Sequence, residues 1–284
     1  MSNLAVATQS GWEAILQLHF AKNDAGETIL ARRLHKGPLV VQKPLYPEGR
    51  PVCHVILLHP PGGVAGGDSL TVNITTEFAS HALMTTPGAG KWYKSNNRLA
   101  SQSLQFRVEK GSMLEWLPQE TILFDGAEVH WQTHIELEAD ACYMGWEIVC
   151  FGRGASGEKF KHGNLRQETT IFQDGKRIWG EYAAIKGGDK LLSSPAGLAD
   201  RSVYGTFLLA GSFISDELLK ELRTIKLENA PQDISGITRI GSMLAIRYLG
   251  NSSEMARQYF SAAWSLLRPA VCKRNATIPR IWST

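Results

Sequence analysis

Between Gly11 and Gly211 the apolar residues fall in short runs, separated by Gly, Pro, Asn and Asp. His54–Leu58, Gly111–Leu117, Val129–Leu137, Tyr143–Phe151 and Glu168–Phe172 are the clearest of these runs. Val129–Leu137 alternates strictly: Val129, Trp131, Thr133, Ile135 and Leu137 share one face, and His130, Gln132, His134 and Glu136 the other. A period of two over that length predicts a half-buried strand. No helical pattern of 10–15 residues separates these runs, which disfavours a doubly wound parallel fold. No fixed-period repeat is visible, so periodicity alone does not establish a solenoid.

The pattern changes beyond Gly211. Ser215 is placed to cap a helix whose apolar positions Leu218, Leu219, Leu222 and Ile225 follow the 3.6-residue period. A strand-like stretch, Gly236 to Leu249, follows. Asn251 and Glu254 then make a capping-box pattern ahead of Met255, Tyr259, Phe260, Ala263, Trp264 and Leu267, with Pro269 as the expected stop. This reads as a mainly β body, about 11–211, with a smaller α-containing part, about 212–284, in one domain spanning 1–284. The Met and aromatic stripe of the last helix is read as core.

A chain of 284 residues with 43% hydrophobic content can bury a sizeable core without staples. Its net charge of +3 is too even to argue for a nucleic-acid partner. Cys53, Cys142, Cys150 and Cys272 form no C-x-x-C pair, which suits reduced thiols in the cytoplasm. Neither a secretory signal nor an apolar run near the ~20 residues needed to span a bilayer is apparent, so no membrane partner is expected.

Candidate chemistry is sparse. Gly152-Arg-Gly-Ala-Ser-Gly157 follows an apolar strand and matches G-x-G-x-x-G, but a dinucleotide site also needs a helix opening there. The following Glu158–Gly163 offers no apolar helical face, so a tight turn explains the glycines better. Pro87-Gly-Ala-Gly-Lys91 fails as a phosphate loop, with Thr85 and Trp92 where that motif needs Gly and Ser or Thr. His130 and His134 share a strand face about 13 Å apart, too far for one ion. Three carboxylates in unusual settings remain: Asp68 ends a Gly-rich run, Glu147 interrupts an apolar one, and Glu181 lies between Trp179 and Tyr182. They either pair with a cation such as Arg153, Arg177 or Arg201, or face solvent, or line a polar interior.

Long blocks of unusual composition decide the matter. His59-Pro-Pro-Gly-Gly-Val-Ala-Gly-Gly-Asp68, Thr86-Pro-Gly-Ala-Gly-Lys91-Trp-Tyr-Lys-Ser95 and Leu114-Glu-Trp-Leu-Pro-Gln-Glu-Thr-Ile-Leu-Phe-Asp-Gly126 resemble the signatures of the UreD family, also called UreH. So do Trp264-Ser-Leu-Leu-Arg-Pro269 and Pro279-Arg-Ile-Trp282. The likeness runs from about Trp12 to Trp282. Gly90 departs from the family's usual Ser or Thr, and Glu147 from its usual Asp.

The resemblance implies an irregular β-helix-like stack of short strands with two α-helices near the C-terminus, and no catalytic centre. It implies a urease maturation factor that binds urease apoprotein and UreF, reaches the GTPase UreG through UreF, and forms a dimer of heterodimers with UreF. No cofactor would be permanently bound; Ni²⁺ would be transient cargo. Asp68, Glu147 and Glu181 are the candidates for lining its passage, and Tyr204, Phe213, Tyr259 and Trp264 mark the candidate UreF dock. Carboxylates suit transit, since imidazole and thiolate cages would hold Ni²⁺ too tightly. With arrival at ~10⁶ M⁻¹s⁻¹, micromolar affinity gives escape near ~1 s⁻¹ and nanomolar affinity roughly 10⁻³ s⁻¹. A chain meant to be covered by partners should dissolve poorly alone and better when co-expressed with UreF. The alternatives are a nucleotide-dependent enzyme using Gly152–Gly157 and a metal-independent β-rich binding module.

Overall fold

The computed structural model describes residues 11–227, 230 and 232–283. Two sheets face each other across a hydrophobic core. The first has seven strands, in spatial order Lys176–Lys186, Asn164–Gln173, Glu128–Leu137, Ala100–Val108, Ser69–Thr76, Glu13–Lys22 and Thr28–Lys36. Its five inner strands run parallel, and an antiparallel hairpin closes each edge. The second sheet follows the order Ile234–Ile240, Met243–Gly250, Val203–Ala210, Cys142–Phe151, Met113–Trp116, His81–Thr85, Cys53–Leu58 and Val40–Val41. Two short strands, Gly90–Trp92 and Thr121–Leu123, pair beside it.

The chain passes repeatedly from the first sheet to the second, as in a β-solenoid. Stacked rungs hold it together: Leu18, Ile74, Phe106, Ile135 and Ile171 occupy adjacent strands, all pointing inward and all buried. Ser69, Ser101, His130 and Arg166 also share a rung, so successive turns take 32, 29 and 36 residues. Unequal turns explain why no fixed period shows in the sequence. The alternation of Val129–Leu137 is as expected, with its odd-numbered residues in the core.

The far face of the second sheet carries the two longer helices. Helix α1 (Lys190–Ser193) is a single turn near the hairpin; α2 (Asp216–Leu222) and α3 (Ser253–Cys272) cover the sheet. Strand Cys142–Phe151 is therefore enclosed on both sides. Cys142, Met144, Trp146 and Ile148 meet the helices, whereas Tyr143, Val149 and Phe151 face the first sheet. Among the described residues, no helix is long and apolar enough to cross a membrane.

Three local expectations need correction. Ser215 does cap α2, accepting from the Leu218 N–H at 3.2 Å. The cap of α3, however, is Ser252, which accepts from Met255 N at 3.2 Å. Asn251 instead accepts from the Ser202 backbone at 3.0 Å and ties the hairpin to the body. Pro269 lies inside α3, which continues to Cys272 and ends where Lys273 adopts a left-handed conformation. Packing of the last turn outweighs the missing N–H there. Finally, 236–249 is not one strand: Gly241, at φ +56°, turns it into the hairpin of Ile234–Ile240 and Met243–Gly250.

Candidate functional site: a polar lane between the sheets

Strand Cys142–Phe151 pairs with Met113–Trp116 along one stretch and with Thr121–Leu123 along another. Between these pairings the neighbouring chain turns a corner, and Glu147 faces that break. A cavity of about 480 Å³ fills it, reaching from Glu147, Trp131 and Gln102 to exposed Gly62, Gly88 and Lys91. Its mouth is formed by two of the Gly-rich blocks. Gly66 explains part of their composition, because a Cβ there would lie 2.2 Å from the Ser95 carbonyl oxygen. The indole N–H of buried Trp131 finds no hydrogen-bond partner among the described residues, beside this cavity.

On its other side Glu147 borders a second, smaller cavity of about 30 Å³, shared with Thr133, Gln167, Thr169, Glu181, Tyr204 and Thr206. Strand register makes this a lane. Glu147, Thr206 and Arg247 lie directly opposite one another on three neighbouring strands of the second sheet. Thr133, Thr169 and Glu181 do the same on the first. Two polar rungs thus face each other across an otherwise apolar sandwich and run from the interior towards the open edge.

Among the described residues, Glu147 has no cationic partner. Gln167 Nε2 donates to one of its oxygens and Thr133 Oγ1 to the other at 3.5 Å, while the Tyr204 hydroxyl donates to Gln167. Burial, and secondarily the nearby charge of Glu181, pushes the Glu147 carboxyl up to about 7 against the pull of those hydrogen bonds. Glu181 is bound by both ends of one guanidinium, Arg247 Nη1 at 2.6 Å and Nη2 at 3.0 Å. Neither carboxylate uses the partners anticipated for it: Arg153 holds Glu158 at 3.0 Å, and Arg201 donates to backbone carbonyls.

Asp68 lines neither cavity. Its oxygens accept the backbone N–H groups of Trp12 and Ala65, both at 2.8 Å, and its charge acts on His59 at the mouth. Of the four residues put forward as a dock, only Phe213 faces solvent, at 78% exposure. Tyr204 turns into the lane and stacks on Phe151. Tyr259 and Trp264 are buried, because α3 turns its aromatic stripe onto the sheet. His130 approaches Glu168, and His134 binds Thr170 and Glu136. Gly154–Ser156 is one 3₁₀ turn with no helix opening behind it, which removes the support for a dinucleotide site. Among the described residues, no group of three or more His, Cys, Asp or Glu could hold a metal ion.

A second polar cluster, unforeseen from the sequence, anchors α3. Arg268 is fully buried and donates to both Glu115 and Glu48, at 2.7–3.1 Å. His81 and Trp264 also bind Glu115, both at 2.6 Å, and His54 binds Glu48 at 2.6 Å. Burial alone would raise the Glu115 carboxyl, but His81 and Arg268 outweigh it and hold it at about 2. Trp264 and Arg268, four apart and hence on one helix face, were the available signal. Trp282 completes the attachment, packing on Trp146 and Trp264 and donating to Thr85 at 2.7 Å.

This is a solenoid-like scaffold with a polar lane between its sheets, where Glu147 borders two cavities, and a C-terminal helix clamped onto it. The model of the UreD urease accessory protein family matches residues 13–283, and the chain belongs to that family. Similar proteins include the urease accessory protein UreD of Methylobacillus flagellatus, 46% identical over 96% of this chain and 95% of its own length. Its counterpart from Dechloromonas aromatica is 48% identical over the same shares, and that of Janthinobacterium 46% identical over 96% and 92%.

Proposed function

We propose that this chain serves urease maturation as a scaffold joining urease apoprotein to UreF and, through UreF, to the GTPase UreG, while its polar lane passes Ni²⁺ towards the urease site. The observation that carries this reading is Glu147, one carboxylate bordering both the wide cavity and the narrow one that leads to Glu181. A carboxylate without a cation, Glu147, among neutral hydroxyl and amide groups gives a divalent cation a foothold without a closed cage. Transit needs that balance of entry and escape. Asp68 adds negative charge beside the mouth without lining it. Phe213 is the candidate contact for UreF within a dimer of heterodimers.

The test replaces Glu147 and Glu181 by Gln, singly and together. UreF and urease should still co-purify with each variant, while the nickel content and activity of urease fall, furthest in the double variant. Undiminished nickel loading in the double variant would remove the lane from the account.

A further inference from the structure

The lane does not stop at Glu181. Arg247 lies next to it on the opposing rung, with Nη1 also donating to Thr206 Oγ1 at 2.6 Å. The guanidinium therefore engages both oxygens that Glu181 could offer a cation and a hydroxyl of the narrow cavity's lining. We propose that Arg247 is the gate of this lane, a tethered cation that must release Glu181 before a divalent cation can cross there. The proposal rests on the passage reading and adds the residue that regulates it.

Three features fit a gate better than a fixed structural pair. First, Arg247 and Glu181 keep 41% and 31% of their side-chain surface, so solvent screens the pair and makes it easy to open. Second, the residue opposite Arg247 on the outermost strand is Gly236, where an added Cβ would meet nothing within 4 Å. The guanidinium has room to swing on that side. Third, a second resting place is at hand: the guanidinium carbon already lies 5.9 Å from the centre of the Trp179 ring, whose face attracts cations. The buried Arg268 has none of this freedom, being fixed between Glu115 and Glu48.

The experiment titrates the purified full chain with Ni²⁺ by calorimetry, for the wild type and for Arg247→Met, Arg247→Lys, Glu181→Gln and the double variant Arg247→Met/Glu181→Gln. Removing the competing charge should tighten Ni²⁺ binding by on the order of tenfold in Arg247→Met, the effect of a unit charge roughly 6 Å from a divalent ion under water-like screening. Arg247→Lys, which keeps the charge but loses the two-pronged grip, should give a smaller gain and covers the case in which the Met variant does not fold. The double variant should lose the gain. If Arg247→Met and Arg247→Lys bind as the wild type does while Glu181→Gln binds more weakly, the gate is overturned and the passage stands. If no variant alters binding, gate and passage fall together.

Discussion

Glu147→Gln separates a carboxylate kept for function from one kept for stability. The carboxyl is raised from 4.5 to about 7 in the folded chain. As pH climbs between these values, the unfolded chain loses a proton that the folded chain retains, so folding stability falls, and the loss is complete above about pH 7. At 1.36 kcal/mol per pH unit, the gap corresponds to roughly 3 kcal/mol. Some of that is not recoverable, since the amide returns one hydrogen bond less well and the residue keeps some surface where it borders the cavities. A net gain of about 1–2 kcal/mol at pH 8, and about zero at pH 5, is expected for the variant. Urea unfolding of both proteins at the two pH values reads this directly, with equal m-values confirming that the same surface is exposed. Equal effects at both pH values, or a smaller gain at pH 8 than at pH 5, would refute the assignment of a carboxyl destabilised by burial. A residue that costs stability in place, and whose replacement impairs nickel loading, is what a stability–function trade-off looks like.

Arg268→Met should do the reverse, because it leaves Glu115 and Glu48 buried without their cation; the loss expected is about 3–5 kcal/mol, seen as a lower melting temperature. Since Glu115 is held at about 2, the wild type's stabilisation from this group is fully present above pH 4.5 and disappears as pH falls towards 2. The variant should show a shallower acid dependence over that window, and an unchanged acid profile would count against the cluster. Phe213→Asp should leave melting within about 0.5 kcal/mol of the wild type, since the ring is exposed. It should nevertheless weaken co-purification with UreF; full retention would remove Phe213 from the dock.

The sequence by itself determined the type of several elements and the family. Alternation in Val129–Leu137, the Ser215 cap and the apolar stripe of α3 are local properties, set by residues within a few positions of one another, and each is found where its pattern put it. Even the lane left a trace, in Thr133 and Glu147 at inward positions of apolar strands. Which groups face one another was another matter. Glu147 meets Thr206 and Arg247, and Thr133 meets Thr169 and Glu181, only through strand register across the sheets, and turns of 32, 29 and 36 residues hide that register from any periodic reading. Tertiary structure alone likewise gave Arg247 to Glu181 and Arg268 to Glu115, partners 66 and 153 residues apart. Charge pairing acts through space within a few ångströms, whereas a linear pattern records only neighbours along the chain.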